Sequence, residues 1–164
     1  MSLNIEAKKN IVGEVAGIAS AAKSAVAAEY RGLTVAEMTQ LRVDARKADV
    51  YLRVVRNTLA RRAIEGSDFA CLQDVLVGPL VLAFSREDPT SAPRVMSDFA
   101  KTHKSLVIKA GAFNSKLMQP AELQRLAQMP TRNTAISMLM GVMKAPVGKL
   151  ARTLAAVRDL KQAA

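Results

Sequence analysis

Tyr51-Leu52-Arg53-Val54-Val55-Arg56-Asn57-Thr58-Leu59-Ala60-Arg61-Arg62 changes period half-way along, and that change decides the fold. Tyr51 to Arg56 is rich in β-branched side chains and reads as a strand. Asn57 is a good N-cap for a helix running to about Ile64. In that helix Leu59, Ala63 and Ile64 pack, Thr58, Arg61, Arg62 and Glu65 face out, and Gly66 ends it. A strand feeding a short helix is one step of an α/β alternation.

The alternation extends both ways. Upstream, Ile11, Val15, Ile18 and Ala22 recur at spacings of four, three and four, so an amphipathic helix is expected from Asn4, its N-cap, to Lys23. The apolar run Ala25 to Tyr30 reads as a buried strand, broken by a turn at Arg31-Gly32. From Thr34 the helical period returns, with Val35, Met38, Leu41, Ala45 and Ala48 inward and Arg42, Arg46 and Asp49 outward. Downstream, a short helical stretch from Phe69 to Leu76 leads into the run Val77 to Phe84. Its Gly78-Pro79 pair predicts a bulge or an edge position for that strand. A helix from Asp88-Pro89 to about Thr102, a strand from Leu106 to Phe113 and a helix from Ala121 to Met129 complete the pattern. The expectation is an α/β layered domain over residues 1–130; periodicity leaves the strand order open.

A chain of 164 residues holds one ordinary domain and an appendage. Half of it is hydrophobic and only 4% aromatic, with no Trp, so the core must be aliphatic. The formal charge is +10, from 24 Lys and Arg against 14 Asp and Glu. Such a balance favours a polyanionic partner: nucleic acid, an anionic membrane surface or an acidic protein. Cys71 is the one cysteine and has no neighbour at metal-ligand spacing, which fits a reduced cytosolic setting. Met1 to Lys9 lacks the h-region of a signal peptide, and no run of about 18 apolar residues is present to span a bilayer.

Met129-Pro130 marks a boundary. Residues 131–164 carry six basic residues and a single acid, Asp159. Ile136, Met140, Met143, Val147, Leu150, Leu154 and Val157 follow each other at alternating spacings of four and three, a heptad seam that Leu139, Val142 and Leu160 widen. A continuous helix over 131–162 is roughly 48 Å long at about 1.5 Å per residue, so most of it is expected to project. Each large apolar side chain left in water forgoes about 1.5–3 kcal/mol, which calls for a covering surface. Back-folding onto the domain is opposed by the length and by Pro130; self-pairing is opposed by positive charge without balancing Glu. A partner with an apolar groove and acidic flanks fits better. Pro146 is expected to kink or divide the helix into two binding segments, about 131–144 and 146–162.

Between Arg42 and Arg62 lie seven basic residues and two acids, Asp44 and Asp49. A strand feeding a helix places unpaired backbone N–H groups at the helix start, where phosphate is favoured by hydrogen bonding and by the macrodipole; Arg56 and Thr58 stand beside that point. Arg53 and Arg56 fall on opposite faces of an ideal strand, while Arg61 and Arg62 extend the surface by a helical turn. The bland alternative is a solvated charged face. With so few aromatics, structured RNA recognised by shape and backbone is preferred to a stacked single strand.

Tyr30-Arg31-Gly32-Leu33-Thr34-Val35, then Tyr51 to Leu59 with Arg61-Arg62-Ala63, and finally Lys149-Leu150-Ala151-Arg152-Thr153-Leu154 together resemble the bacterial family of large-subunit ribosomal protein ten, the stalk base. The resemblance covers essentially the whole chain. It implies an N-terminal α/β domain bound to large-subunit ribosomal RNA beside ribosomal protein eleven, and a C-terminal helix carrying dimers of the acidic stalk protein that recruits translational GTPases. The shortness of this helix implies two dimers. Carried over position by position, the implied RNA contacts are Arg31, Gly32, Arg53, Arg56, Asn57, Thr58, Arg61 and Arg62, and the implied partner seam is Ile136, Met140, Met143, Val147, Leu150, Leu154 and Val157. Members of the family also repress translation of their own messenger.

Other classes lack parts. His103, flanked by Lys101 and Lys104, reads as an exposed helix-end residue rather than a catalyst. Gly141 to Lys149 has the wrong glycine spacing for a phosphate loop, and Leu150 stands where Ser or Thr belongs. No enzyme, cofactor, metal or small-molecule substrate is therefore expected. A basic amphipathic membrane-surface protein lacks the expected Trp or Phe on the seam. A free-standing RNA-binding regulator remains the other alternative.

Overall fold

The computed structural model describes residues 4–163, without the side chains of Leu160 and Ala163. The reading of the first three residues and the widening of the seam by Leu160 lie outside what is described. The chain divides into two compact units, Met1–Met129 and Pro130–Ala164.

The first unit opens with α1 (Ile5–Ala21), capped by the Asn4 carboxamide, which accepts from the Ile5 amide at 2.7 Å. Strand β1 (Ser24–Glu29) is followed by α2 (Val35–Lys47), β2 (Val50–Val54) and α3 (Asn57–Ile64). A 3-10 helix, Ala70–Val75, leads to β3 (Leu80–Ser85), α4 (Ser91–Thr102), β4 (Val107–Phe113), β5 (Lys116–Met118) and α5 (Pro120–Gln128). Thr34 and Glu37 form a capping box at the start of α2, and at the start of α5 the Gln119 amide donates to the Glu122 carboxylate at 3.2 Å, each satisfying amides that a helix start leaves open.

The five strands form one sheet in the order β2-β3-β1-β4-β5, with every pairing antiparallel. Helices cover both faces, which is why β1 and β3 read as unbroken apolar runs rather than as alternations. On one face Ala25, Ala27, Leu80, Leu82 and Phe84 meet Val15 and Ala19 of α1, Ala60, Ala63 and Ile64 of α3, and Phe69 and Leu72. On the other, Val26, Ala28, Val81 and Ala83 meet Leu41 and Ala45 of α2, Met96 and Phe99 of α4, and Leu123 of α5. Phe69 and Phe84 pack edge to face with centroids 6.0 Å apart. Ser24 and Ser85 are buried at adjoining strand ends: the Ser24 hydroxyl donates to the Pro89 carbonyl at 2.8 Å, and Ser85 Oγ accepts from the Ala92 amide at 2.8 Å.

Close packing has one strict requirement. At Gly111 of β4 a Cβ would lie 2.6 Å from Leu123 Cδ2 and 3.0 Å from the Ala25 carbonyl oxygen; only glycine lets α5 approach the sheet here.

Several expectations need correction. Gly78-Pro79 forms neither a bulge nor an edge: β3 starts at Leu80 and runs between β1 and β2. The glycine, at φ +94°, turns the chain into the strand, and the proline stands just outside the ladder that its missing N–H would interrupt. The irregularity lies in β4, where Lys109 is the extra residue opposite Ala27 and Ala28 and its ammonium pairs with Glu29 at 3.0 Å. Asn57 is not the cap of α3 but its first residue, with Arg56 in the capping position. Val35, expected inward, is 85% exposed, because burial of that face of α2 begins a turn later at Met38. Strand β5 escaped the sequence reading: its two-residue turn, Asn114-Ser115, has positive φ at both positions (50° and 60°), as a tight hairpin demands.

The second unit is α6 (Arg132–Ala163), one α-helix. It runs through Pro146 without division, so the expected break into two helices does not occur. A proline inside a helix removes one backbone hydrogen bond, and the turns on either side of Pro146 remain helical.

Candidate nucleic-acid interface and partner helix

Because β1 and β2 both run antiparallel to β3, they finish at the end of the sheet where β3 and β4 begin. Arg31-Gly32, just after β1, and Arg56-Asn57-Thr58, just after β2, are therefore neighbours across β3, about two strand spacings or roughly 10 Å apart. Twenty-odd residues of sequence separate them; the topology unites them. Gly32 has φ +91° and a Ser105 side chain 3.7 Å from where a Cβ would be, so a side chain there is strained. Arg31, Gly32, Arg56, Thr58 and Arg62 are exposed, and Asn57 is half-buried.

The amides of Leu59 and Ala60 both bond the Arg56 carbonyl at 2.9 Å. Those of Asn57 and Thr58 precede the first intrahelical bond and stand at the positive end of the helix dipole. The Asn57 carboxamide NH2 donates to the Gly78 carbonyl at 2.9 Å. Arg61, expected to face out, is half-buried instead: its Nε donates to the Gln73 carbonyl at 3.1 Å and its Nη2 to that of Leu76 at 2.9 Å. Asn57 and Arg61 thus clamp the loop that leads into β3.

Arg53 is also occupied. Its guanidinium pairs with the Glu14 carboxylate of α1 and donates to the Tyr51 hydroxyl at 2.9 Å, while that hydroxyl donates to Glu14 at 2.9 Å. Hydrogen bonds from Arg53 and then Tyr51 hold the Glu14 carboxyl below its ordinary range. The Tyr51 hydroxyl is pushed up, mainly by burial, and its hydrogen bond to Arg53 raises the guanidinium further. The link joins α1 to the outermost strand, β2.

The basic cluster of the sequence divides in space. Arg61 and Arg62 belong to α3 on one face of the sheet, whereas Arg42, Arg46 and Lys47 ride on α2 on the other. Lys47 lies 3.6 Å from Asp44, and Arg46 Nε donates to the Arg42 carbonyl at 3.2 Å. Linear density of charge was a poor guide to the surface.

His103 caps α4 but is less exposed than expected. Its ring stacks on Phe99 at 4.3 Å, and Nδ1 lies 3.0 Å from Glu37, the same carboxylate that completes the α2 capping box. Burial pushes the Cys71 thiol up, so it is a poor nucleophile at neutral pH.

Tyr30 was not among the contacts expected from the sequence. Half-buried, it lines a depression of about 460 Å³ together with Val54, Val55, Arg56, Asn57, Thr58, Gly78, Pro79 and Leu80. The signal was present in the motif Tyr30-Arg31-Gly32, but nothing local placed it opposite Arg56.

In α6 the seven seam residues are all exposed, from 45% at Ile136 to 73% at Val147. Met138, Leu139 and Val142 widen the ridge at 58–71%. No helix among the described residues is long and apolar enough to cross a membrane.

Cationic loops on a layered domain and an open apolar helix offer contact surface rather than reaction chemistry, and together define a component of a larger assembly. The chain belongs to the ribosomal protein L10 family, large-subunit proteins of the cytoplasmic ribosome with a structural rather than an enzymatic part in translation. Residues 3–101 match Ribosomal protein L10, and residues 129–164 match Ribosomal protein uL10 C-terminal region. The chain is similar to large ribosomal subunit protein uL10 of Thioalkalivibrio sulfidiphilus, at 61% identity over 99% of both chains. The uL10 of Nitrosococcus oceani is 59% identical over 99% of this chain and 94% of its own, and that of Aeromonas salmonicida 56% over 100% and 99%. Membership sets aside the free-standing regulator.

Proposed function

We propose that the domain of residues 1–130 anchors the chain to large-subunit ribosomal RNA at the stalk base, beside ribosomal protein eleven, and that residues 131–164 hold dimers of an acidic stalk protein. The observation that carries the reading is the contrast between an enclosed core and a helix whose entire apolar seam lies open. Seven large side chains in water call for a partner, each worth about 1.5–3 kcal/mol when fully buried. The basic residues along that helix favour an acidic one.

On the RNA side, Arg31, Gly32, Arg56, Asn57, Thr58 and Arg62 are the proposed contacts. Arg56 and the first amides of α3 offer charge and donors to phosphate. Gly32 keeps the β1 turn low enough for a backbone to approach. Arg53 and Arg61 belong to the same surface but spend their guanidinium donors on Glu14, Tyr51 and loop carbonyls, so they act chiefly by holding it in shape. A helix of 32 residues has room for two dimers in succession. The same RNA surface supports repression of the chain's own messenger, as the family resemblance implies.

Co-expression of the full chain with an acidic stalk protein, followed by native mass spectrometry with and without large-subunit RNA, tests both halves. The expected masses are one chain with four partner copies, and that complex with RNA. A chain that stays alone with the acidic protein in excess removes the partner reading; a complex that never takes up RNA removes the anchoring.

A further inference from the structure

Resting on the reading that this end of the sheet meets RNA, we propose that the depression beneath Tyr30 and Arg56 is a subsite for one unstacked nucleotide of that RNA. Four observations support it. The depression is lined by a cation and by no carboxylate, whereas Asp98, Asp44, Glu122 and Asp68 enter the walls of the other concave surfaces described. At about 460 Å³ it falls within the range of small-ligand sites. Its wall combines one aromatic ring with Val54 and Pro79, the materials on which a splayed-out base rests, while Arg56 and the first turn of α3 stand where the attached phosphate is favoured.

The fourth observation is rigidity. Asn57 bonds the Gly78 carbonyl, Arg61 bonds those of Gln73 and Leu76, and the Tyr30 amide donates to the Pro79 carbonyl at 3.3 Å. Both rims are thus tied down before any ligand arrives, which reduces the ordering cost of binding. Structured RNA displays single unstacked bases at bulges and loops, and an otherwise shape-reading surface gains a fixed register from catching one.

The test measures affinity of the full chain for large-subunit ribosomal RNA over a range of salt. It compares wild type with Tyr30→Leu, which removes the ring, Tyr30→Phe, which keeps it, and Thr58→Trp, which fills the depression from an exposed position. Thermal unfolding checks that each variant is folded. Tyr30→Leu and Thr58→Trp are expected to weaken binding roughly tenfold to hundredfold, the size of one lost base stack, and Tyr30→Leu, which removes no phosphate contact, should leave the slope against salt unchanged. Tyr30→Phe should bind within about twofold of wild type. Ultraviolet crosslinking of the wild-type complex should leave a single-nucleotide adduct on Tyr30 or on residues 54–58. Wild-type affinity in Thr58→Trp overturns the subsite, even if Tyr30→Leu unfolds early. So does a wild-type complex whose RNA crosslinks fall only on residues outside Tyr30 and 54–58. A wild-type chain that does not bind the RNA at all instead overturns the anchoring function itself.

Discussion

Leu82 in β3 and Leu150 in α6 both belong to regular apolar patterns, yet one is 3% exposed and the other 62%. In the domain the sheet finds its cover within the chain: two sets of helices close its two faces. In α6 an equally regular pattern is left open. An apolar period tells which face of an element seeks cover; it does not tell whose surface provides it.

Four substitutions break or sharpen this contrast. Phe84→Ala removes one of the two buried phenylalanines of one layer, and a loss of about 3–5 kcal/mol is expected in denaturant unfolding while α6 still captures its partner. Leu154→Asp should do the reverse, weakening stalk-protein binding by at least about 2 kcal/mol, the scale of an interface anchor, with domain stability and RNA binding intact; full occupancy in native mass spectrometry would count against the seam. Gly111→Ala drives a methyl group into Leu123, and overpacking of this kind lowers stability by about 1–3 kcal/mol, readable as a lower midpoint of thermal unfolding. Arg56→Ala should leave stability within about 0.5 kcal/mol and reduce the salt slope of RNA binding by about one unit. An unchanged slope removes Arg56 from the phosphate contacts.

A smaller effect concerns the Glu14–Arg53 link. Since Arg53 holds the Glu14 carboxyl low, the link contributes above the ordinary carboxylate range and is lost as pH falls through the lowered value. Arg53→Gln should move the Glu14 titration upward in an NMR experiment.

Much of the domain was legible because its elements declare themselves locally. The stripe Ile11, Val15, Ile18 placed α1, the run Ala25 to Tyr30 placed β1, and the change of period at Asn57 placed α3. Errors fell where a residue's role is set by something distant. Asn57 looked like a cap and instead ties down Gly78; Arg61 looked like free charge and instead serves two loop carbonyls. The short strand β5 has three residues, too few to show a period. At the candidate interface the residues Arg31, Gly32, Arg56, Asn57 and Thr58 were singled out from sequence, but their adjacency and the part of Tyr30 were not, since both depend on β3 running between β1 and β2.

From the order of its residues alone this protein determined its helices, most of its strands, its basic character and the apolar ridge of its last thirty residues, because period, capping and charge act over a few neighbouring positions. Tertiary structure decided the strand order, the separation of Arg42, Arg46 and Lys47 from Arg61 and Arg62 onto opposite faces, and the meeting of two loops at one end of the sheet. Those outcomes rest on pairings between residues far apart in the chain, where hydrogen-bond registers and the fit of side chains, not local preference, select the arrangement.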